Sequence, residues 1–559
     1  MDKPQATAKP IFMAQQKEVA LPPSAPSTFL VGEGTPYGLS PVSQCNVLLI
    51  NPAVNRRTQT PILKKIIRSM FPTGLGYIAS YLDKMQICKT YIVDEMLDDI
   101  DDATLARLIN SMPKPRVVGL GVVTASVGPA FDIGRRVMQI DPDALVVMGG
   151  IHVSVLPHEA LEQKAAHVVV RGEGEEIFAD FMRAVLAGDD WRGGAGLSWI
   201  DANGRIVDNP NRSLVKELDE LPPFPFHYFA HNRHRYNVGF YSILSSRGCP
   251  YKCTFCSTRS MTALSYRYHS EERVIEEIET LVEQYGAQSI YLIDDNFAVN
   301  KKRLNRLCDA IIAKGLHKKV SFEGSMRADN ADPSIFAKLR EANFQVLSYG
   351  LETGSERLMK MIMKGETVQQ VVDGIELATS YGFKVCTTII FGFPTETSKD
   401  RWDAIKLVYA LPLDSVRFNI LTPYPGTPLF DQVKAEGKCK IAPDWANFSV
   451  QYMWKGSDLP YIPDGTNRYA LMFTTMFANL GYYLRPAGIK RMLTSKVAGG
   501  NVIILPKGWI ASGYALSVAR IALYLLSRFC EVAVMAALTL PVTLVGRLFQ
   551  AKRPAAPAE

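Results

Sequence analysis

The residues best suited to chemistry sit in one short stretch, "SSRGCPYKCTFCS" at 245–257. It holds Cys249, Cys253 and Cys256 as CxxxCxxC, in a chain of 559 residues with only nine cysteines. Thiolates are soft ligands suited to iron–sulfur clusters or zinc. Three of them on one tight loop can hold three corners of a cubane and leave the fourth iron open for a substrate to chelate. The alternatives are a zinc site completed by His269, the nearest downstream histidine, or three unconnected thiols. Zinc knuckles normally recur as two CxxC pairs, and no second pair exists here. The cluster is therefore the expectation.

CxxxCxxC with an aromatic residue, here Phe255, before the last cysteine resembles the signature of the radical S-adenosylmethionine (SAM) superfamily. The resemblance covers roughly 235–445. It implies a four-iron four-sulfur cluster whose open iron binds SAM and cleaves it reductively, fed by an electron donor such as flavodoxin or ferredoxin. Matched position by position, "YLIDDNF" implies Asp294 and Asp295 as partners of the methionine ammonium. "GLETGSE" implies Glu352 near the SAM ribose or carboxylate, "EGSMRAD" implies Arg327 on the SAM carboxylate, and "IIFGFPTET" implies Gly392 and Pro394 at the adenine. Helix caps, a structural ion pair and a plain turn are the bland alternatives. Their shared place at strand C-terminal ends, where barrels bind ligands, favours function.

Apolar runs near 242, 289, 319, 345, 384 and 415, separated by amphipathic helices, predict six strand–helix units of a partial barrel over 235–445. Ser270 is a plausible N-cap for one of these helices. Val274, Ile275, Ile278, Leu281, Val282 and Tyr285 share one of its faces. An earlier alternating series, "NVLLI", "TYIVD", "VVGLGVV", "LVVMGG" and "HVVVRGEGE", predicts a parallel, doubly wound α/β domain over 44–190. Residues 1–43 read as a disordered lead-in. Residues 191–234, with "DANG" and "LPPFPF", read as a connector, and 446–559 as a mostly helical, apolar region.

The first domain resembles the Rossmann-like cobalamin-binding domain of cobalamin-dependent radical SAM enzymes, through "PTGLGYIASYL", "VGLGVVTAS", "MGGIHVSVLP" and "VVRGEGEEIF". The resemblance implies cobalamin as a further cofactor. Gly149 and Gly150 would let backbone approach it, while Thr124, Ser126 and His152 would hydrogen-bond it. One departure stands: the DxHxxG loop of other cobalamin domains is here "VDEMLDDIDD", with Asp94, Glu95 and Met96 and no histidine. In "RGEGEE" the glutamates would repel phosphate. Glu173 and Glu175 read instead as a loop and helix start near the domain interface.

With both cofactors, the resemblance implies C-methylation of an unactivated carbon. The alternatives are a cyclase of the anaerobic tetrapyrrole type and a non-catalytic cobalamin sensor. From Arg485 onward ten basic residues face two acidic ones, so this apolar tail carries +8 and the rest of the chain, of net charge +7 overall, is close to neutral. Basic and apolar together suggest an anionic membrane surface and a hydrophobic small-molecule substrate. The cleanest run, 532–546, is shorter than the roughly 20 residues a spanning helix needs. No nucleic-acid-reading motif is present. Sparse cysteines and the lack of a recognisable cleavable signal set a reducing, cytoplasmic location as the expectation.

Overall fold

The computed structural model describes residues 41–54, 70–97, 99–229, 236, 239–449, 458–486, 488, 523 and 526–539. The lead-in reading falls almost wholly on 1–40, outside the described residues, as does much of the C-terminal apolar run.

Strands β1 (Val47–Asn51), β2 (Thr90–Asp94), β3 (Val117–Gly121), β4 (Leu145–Gly149) and β5 (Val168–Val170) pair in parallel in the order β2-β1-β3-β4-β5. They are nearly continuous apolar runs because helices cover both faces. Leu49, Val117, Val147 and Val170 face one side, with helices Thr73–Lys84 and Gly174–Ala187. Leu48, Val118, Val146 and Val169 face the other, with helices Asp102–Ser111 and Val127–Ile140.

Two elements differ from the connector reading. Strands β6 (Leu197–Ile200) and β7 (Ile206–Asp208) form a hairpin around the "DANG" turn and extend the first sheet antiparallel. Downstream, "LPPFPF" is a buried bolt. Phe224 stacks on Phe229 at 5.5 Å, Phe226 packs edge-on against Tyr241 at 5.5 Å, and Phe71 stacks on Tyr236 at 4.4 Å. Prolines at alternate positions keep the chain extended, so successive rings enter the core between the domains.

The second sheet holds β8 (Phe240–Ile243), β11 (Ser289–Leu292), β12 (Ser321–Met326), β13 (Phe344–Glu352), β14 (Lys384–Phe391) and β15 (Ser415–Ile420). All are parallel and neighbours in sequence order. Between the first two lies a short antiparallel ladder of β9 (Ser246–Arg247) and β10 (Arg267–Tyr268). Ser270 caps helix Glu271–Tyr285 by accepting from Arg273 N at 3.2 Å, and Gly286 ends it in the left-handed region. The open edge of β15 is covered by helix Arg468–Leu484. Its Asn479 side chain bonds both Phe418 N and Phe418 O, at 3.0 and 2.7 Å, in place of a further strand. Among the described residues no helix is long and apolar enough to cross a membrane.

Candidate active site

The C-terminal ends of the two parallel sheets face one another across a cavity of about 500 Å³. Gly121, Gly149 and Gly150 line it from the first domain; Arg247, Gly248 and Asp295 line it from the second. The cysteine loop leaves β9 and ends at helix Thr258–Thr262. All three thiols are unpaired and half-buried. Burial pushes Cys249 up to about 11, and repulsion from Cys256, Asp295 and Cys253 adds to it. Cys253 is raised by burial too, against the pull of Lys364 and Arg327.

Three soft sulfur ligands carried on one short loop suit a metal centre, whose positive charge would offset the cost of ionising them. Among the described residues no three His, Cys, Asp or Glu side chains converge as ligands of one ion. The thiolates of a cubane bind different irons and stand apart. His269 is not a fourth ligand: its Nδ1 lies 2.9 Å from Asp219 Oδ1, and burial lowers its pKa to about 4. The residues present fit a cluster.

Phe255 meets Phe393 edge-on at 5.8 Å and so ties the cysteine loop to the turn after β14. In that turn Gly392 has φ +99°, beside Pro394, and its N–H donates to Glu396 at 2.6 Å. Arg401 braces Glu396 at 3.1 Å. Asp295 is exposed to the cavity and accepts from Thr258 Oγ1 at 2.9 Å. Glu352, at the end of β13 with φ +62°, pairs with the buried Lys364 at 3.2 Å. Lys364 is a residue the sequence reading missed. Its only signal was a glycine turn, "MKGET", whose approach to the cysteine loop (Thr254 N to Ile362 O, 2.9 Å) is tertiary.

Two of the expected SAM partners are engaged within the protein. Asp294 is a buried hub: it accepts from Ser245 N at 2.7 Å, Ser245 Oγ at 2.5 Å and Ser246 Oγ at 2.6 Å. Arg327 forks onto Asp329 at 2.9–3.2 Å, stacks on Tyr251 at 3.6 Å and approaches Glu366 at 3.5 Å. These contacts tie its guanidinium to the turn after β12 and to the cysteine loop.

In the first domain an apolar slot lined by Leu49, Gly119, Val147, Val170 and Phe178 opens into the same cavity. At Gly150 φ is +108°, and a Cβ would lie 2.7 Å from Val122 O, so only glycine gives this edge its shape. A bare glycine edge above an apolar slot fits a broad macrocycle with a flat tail. Thr124, Ser126 and His152 are not among the residues that line this cavity. His152 bonds Thr124 Oγ1 at 3.3 Å and Glu159 at 3.2 Å, and Trp445 Nε1 reaches Glu159 at 2.9 Å. Thr124 and His152 border a smaller cavity of about 210 Å³, and Ser126 bonds its own turn at Val123. The loop without histidine is tied down, with Glu95 accepting from Ala53 N at 2.8 Å and Met96 Sδ from Val54 N at 3.3 Å.

Two family models match: the B12 binding domain over residues 60–182 and the Radical SAM superfamily over 243–408. An uncharacterized methyltransferase of Pyrococcus horikoshii is 32% identical over 406 residues, 72% of this chain and 86% of that one. The anaerobic magnesium-protoporphyrin IX monomethyl ester cyclase of Cereibacter sphaeroides is 26% identical, over 66% of this chain and 61% of its own length. The hopanoid C-2 methylase of Rhodopseudomonas palustris is 26% identical, over 68% and 67%. The solved structure of the radical SAM methyltransferase TsrM of Kitasatospora setae shares the fold at TM-score 0.62 and 18% identity, over 80% of this chain and 90% of that one.

The chain thus belongs to the cobalamin-binding radical SAM enzymes. Its cofactors are an iron–sulfur cluster, SAM and cobalamin.

Proposed function

We propose that the enzyme methylates an unactivated carbon of a hydrophobic substrate, with the methyl group of SAM passing by way of cobalamin. One observation carries this reading: a single cavity is walled by the cysteine-loop side of the barrel and by the glycine edge of the first domain, so both cofactor regions open into one space. Relatives named as methyltransferases point the same way. When bound, cluster and SAM supply a carbon-centred radical, and cobalamin supplies a transferable methyl group.

The chain's own residues hold and shield these groups. Cys249, Cys253 and Cys256 ligate the cluster. Asp295 offers a carboxylate to the SAM ammonium, a charge-assisted pair. Glu352, held by Lys364, and the Gly392 turn, held by Glu396, keep fixed polar and backbone groups at the barrel mouth. Leu75, Ile78, Val123, Leu244 and Met261 give the cavity apolar walls that keep water from a reactive radical.

The basic, apolar C-terminal part supports a lipid-soluble substrate met at an anionic membrane surface from the cytoplasm, where a flavodoxin or ferredoxin would deliver electrons. Leu523, Leu526, Val534 and Leu538 are exposed there. Partitioning onto anionic liposomes with and without residues 508–559 tests this part, and equal partitioning removes it.

The similarity to the cyclase favours a second reading, ring formation without added carbon. Anaerobic reconstitution with iron, sulfide and cobalamin, then turnover of a membrane-lipid extract with methyl-labelled SAM, separates the two. Label in the product supports methylation. Deoxyadenosine with a product of unchanged carbon count supports cyclisation. Failure of a fully loaded enzyme to release deoxyadenosine overturns both.

A further inference from the structure

Four buried charges at the boundary between the two domains are given no role in holding a cofactor by the readings above. Glu173 and Glu175 stand at the start of helix Gly174–Ala187 in the first domain. Arg247 and Arg267 face each other across the β9–β10 ladder of the second. Arg267 grips Glu173 with both arms, Nη1 to Oε2 and Nη2 to Oε1, each at 2.8 Å. Arg247 bridges the two glutamates, 2.7 Å to Glu175 and 3.3 Å to Glu173. These side chains are only 7% to 13% exposed. The connector joins them: Val215 N donates to Glu173 at 3.1 Å, and Val215 O accepts from Arg267 at 2.5 Å.

Glu173 occupies the N-cap position but makes no cap bond to its own helix. Its carboxylate is directed across the boundary. The phenylalanine bolt already supplies apolar adhesion there. A buried ion pair adds little net stability beyond that, but a forked guanidinium–carboxylate contact fixes both distance and angle. Arg247 lies two residues before Cys249, and Glu173 and Glu175 line the cavity beside the glycine edge. A shift in this contact therefore moves the cysteine loop relative to the cobalamin face.

We infer that Glu173, Glu175, Arg247 and Arg267 form a clamp that sets the spacing and angle between the two cofactor-bearing domains, and so act as positioning residues for transfer between the cofactors. The inference holds for methylation and cyclisation alike.

The test uses the full chain, loaded anaerobically with cluster and cob(II)alamin. Glu173→Gln, Arg267→Lys and the double variant Glu173→Gln/Arg267→Gln are compared with the parent. Iron and cobalt content and the melting temperature report folding. Broadening of the cob(II)alamin electron paramagnetic resonance signal by the reduced cluster reports the spacing between cofactors, and dilution into free cobalamin reports release. The expected result is parent-like loading of Arg267→Lys, weaker spin coupling, and cobalamin release faster by about tenfold. In the double variant two neutral amides can bond each other, so melting temperature recovers while coupling does not. A purely structural role would bring both back together, which would overturn the inference. Where Glu173→Gln fails to load, Arg267→Lys decides alone, and parent-like coupling in it is fatal to the clamp.

Discussion

The carboxylate of Asp294 accepts three short hydrogen bonds inside the barrel, whereas that of Asp295, one position on, opens to the cavity and, among the described residues, accepts from Thr258. Identical chemistry in two environments predicts two phenotypes. Asp294→Asn lowers stability by roughly 2 kcal/mol or more, because bonds to a buried charge are each worth about 1.5–3 kcal/mol; thermal melting of the loaded enzyme reads this. Asp295→Asn leaves the melt unchanged and weakens SAM binding by about tenfold, as an exchange of one charged hydrogen bond for a neutral one implies; equilibrium dialysis reads it. Cys253→Ser removes one of the three soft ligands, so bound iron and deoxyadenosine release fall together.

The strands and turns carry predictions of their own. At the Gly150 turn after β4, the positive φ and the nearness of Val122 O leave no space for a methyl group. Gly150→Ala is expected to lower the cobalamin retained after desalting while iron content stays at the parent level. In β12, far from the strand ends that bear the site, burial pushes the Glu323 carboxyl up to about 7, against a hydrogen bond from Ser289. A carboxyl whose folded value is raised above its ordinary one destabilises the fold once ionised. Stability from this group is complete below the ordinary value near 4.5 and is lost as pH rises through about 7. Glu323→Gln should match the parent at pH ~5 and exceed it at pH ~8, by up to about 3 kcal/mol, since a tenfold change in proton affinity corresponds to about 1.4 kcal/mol. Melting curves at the two pH values check the sign.

For the molecule as a whole, function depends on two domains held mouth to mouth, and the aromatic bolt holds them. Phe224→Ala opens a cavity against Phe226 and Phe229 and is expected to cost about 3–5 kcal/mol. Because the bolt joins both domains, iron and cobalamin should be lost in parallel, measurable by metal analysis after gel filtration. Much of this was legible in the chain. The CxxxCxxC spacing points to its proposed ligands because three thiols on one loop are local. The order of apolar runs names two parallel sheets because a strand buried on both faces must be apolar throughout. Gly150 and Gly392 were singled out by resemblance as places where backbone would approach a ligand, and their positive φ came only with the fold. Which member of the pair Asp294 and Asp295 faces the cavity was not legible, since it depends on Ser245 and Ser246 arriving from another strand. The partners of Arg327, which are Asp329, Tyr251 and Glu366, were legible only in part, since the fold alone brings Tyr251 and Glu366 to it. The connector looked like a linker because prolines and polar turns mark breaks in local structure. Only the folded chain turned its rings inward and lined up Arg267 with Glu173, 94 residues away. The sequence by itself determined which chemistry each loop can support, because ligand type and turn geometry are set by neighbours along the chain. Tertiary structure alone decided which charges stay free to act, because a charge is neutralised by whatever side chain folding brings within about 3 Å of it.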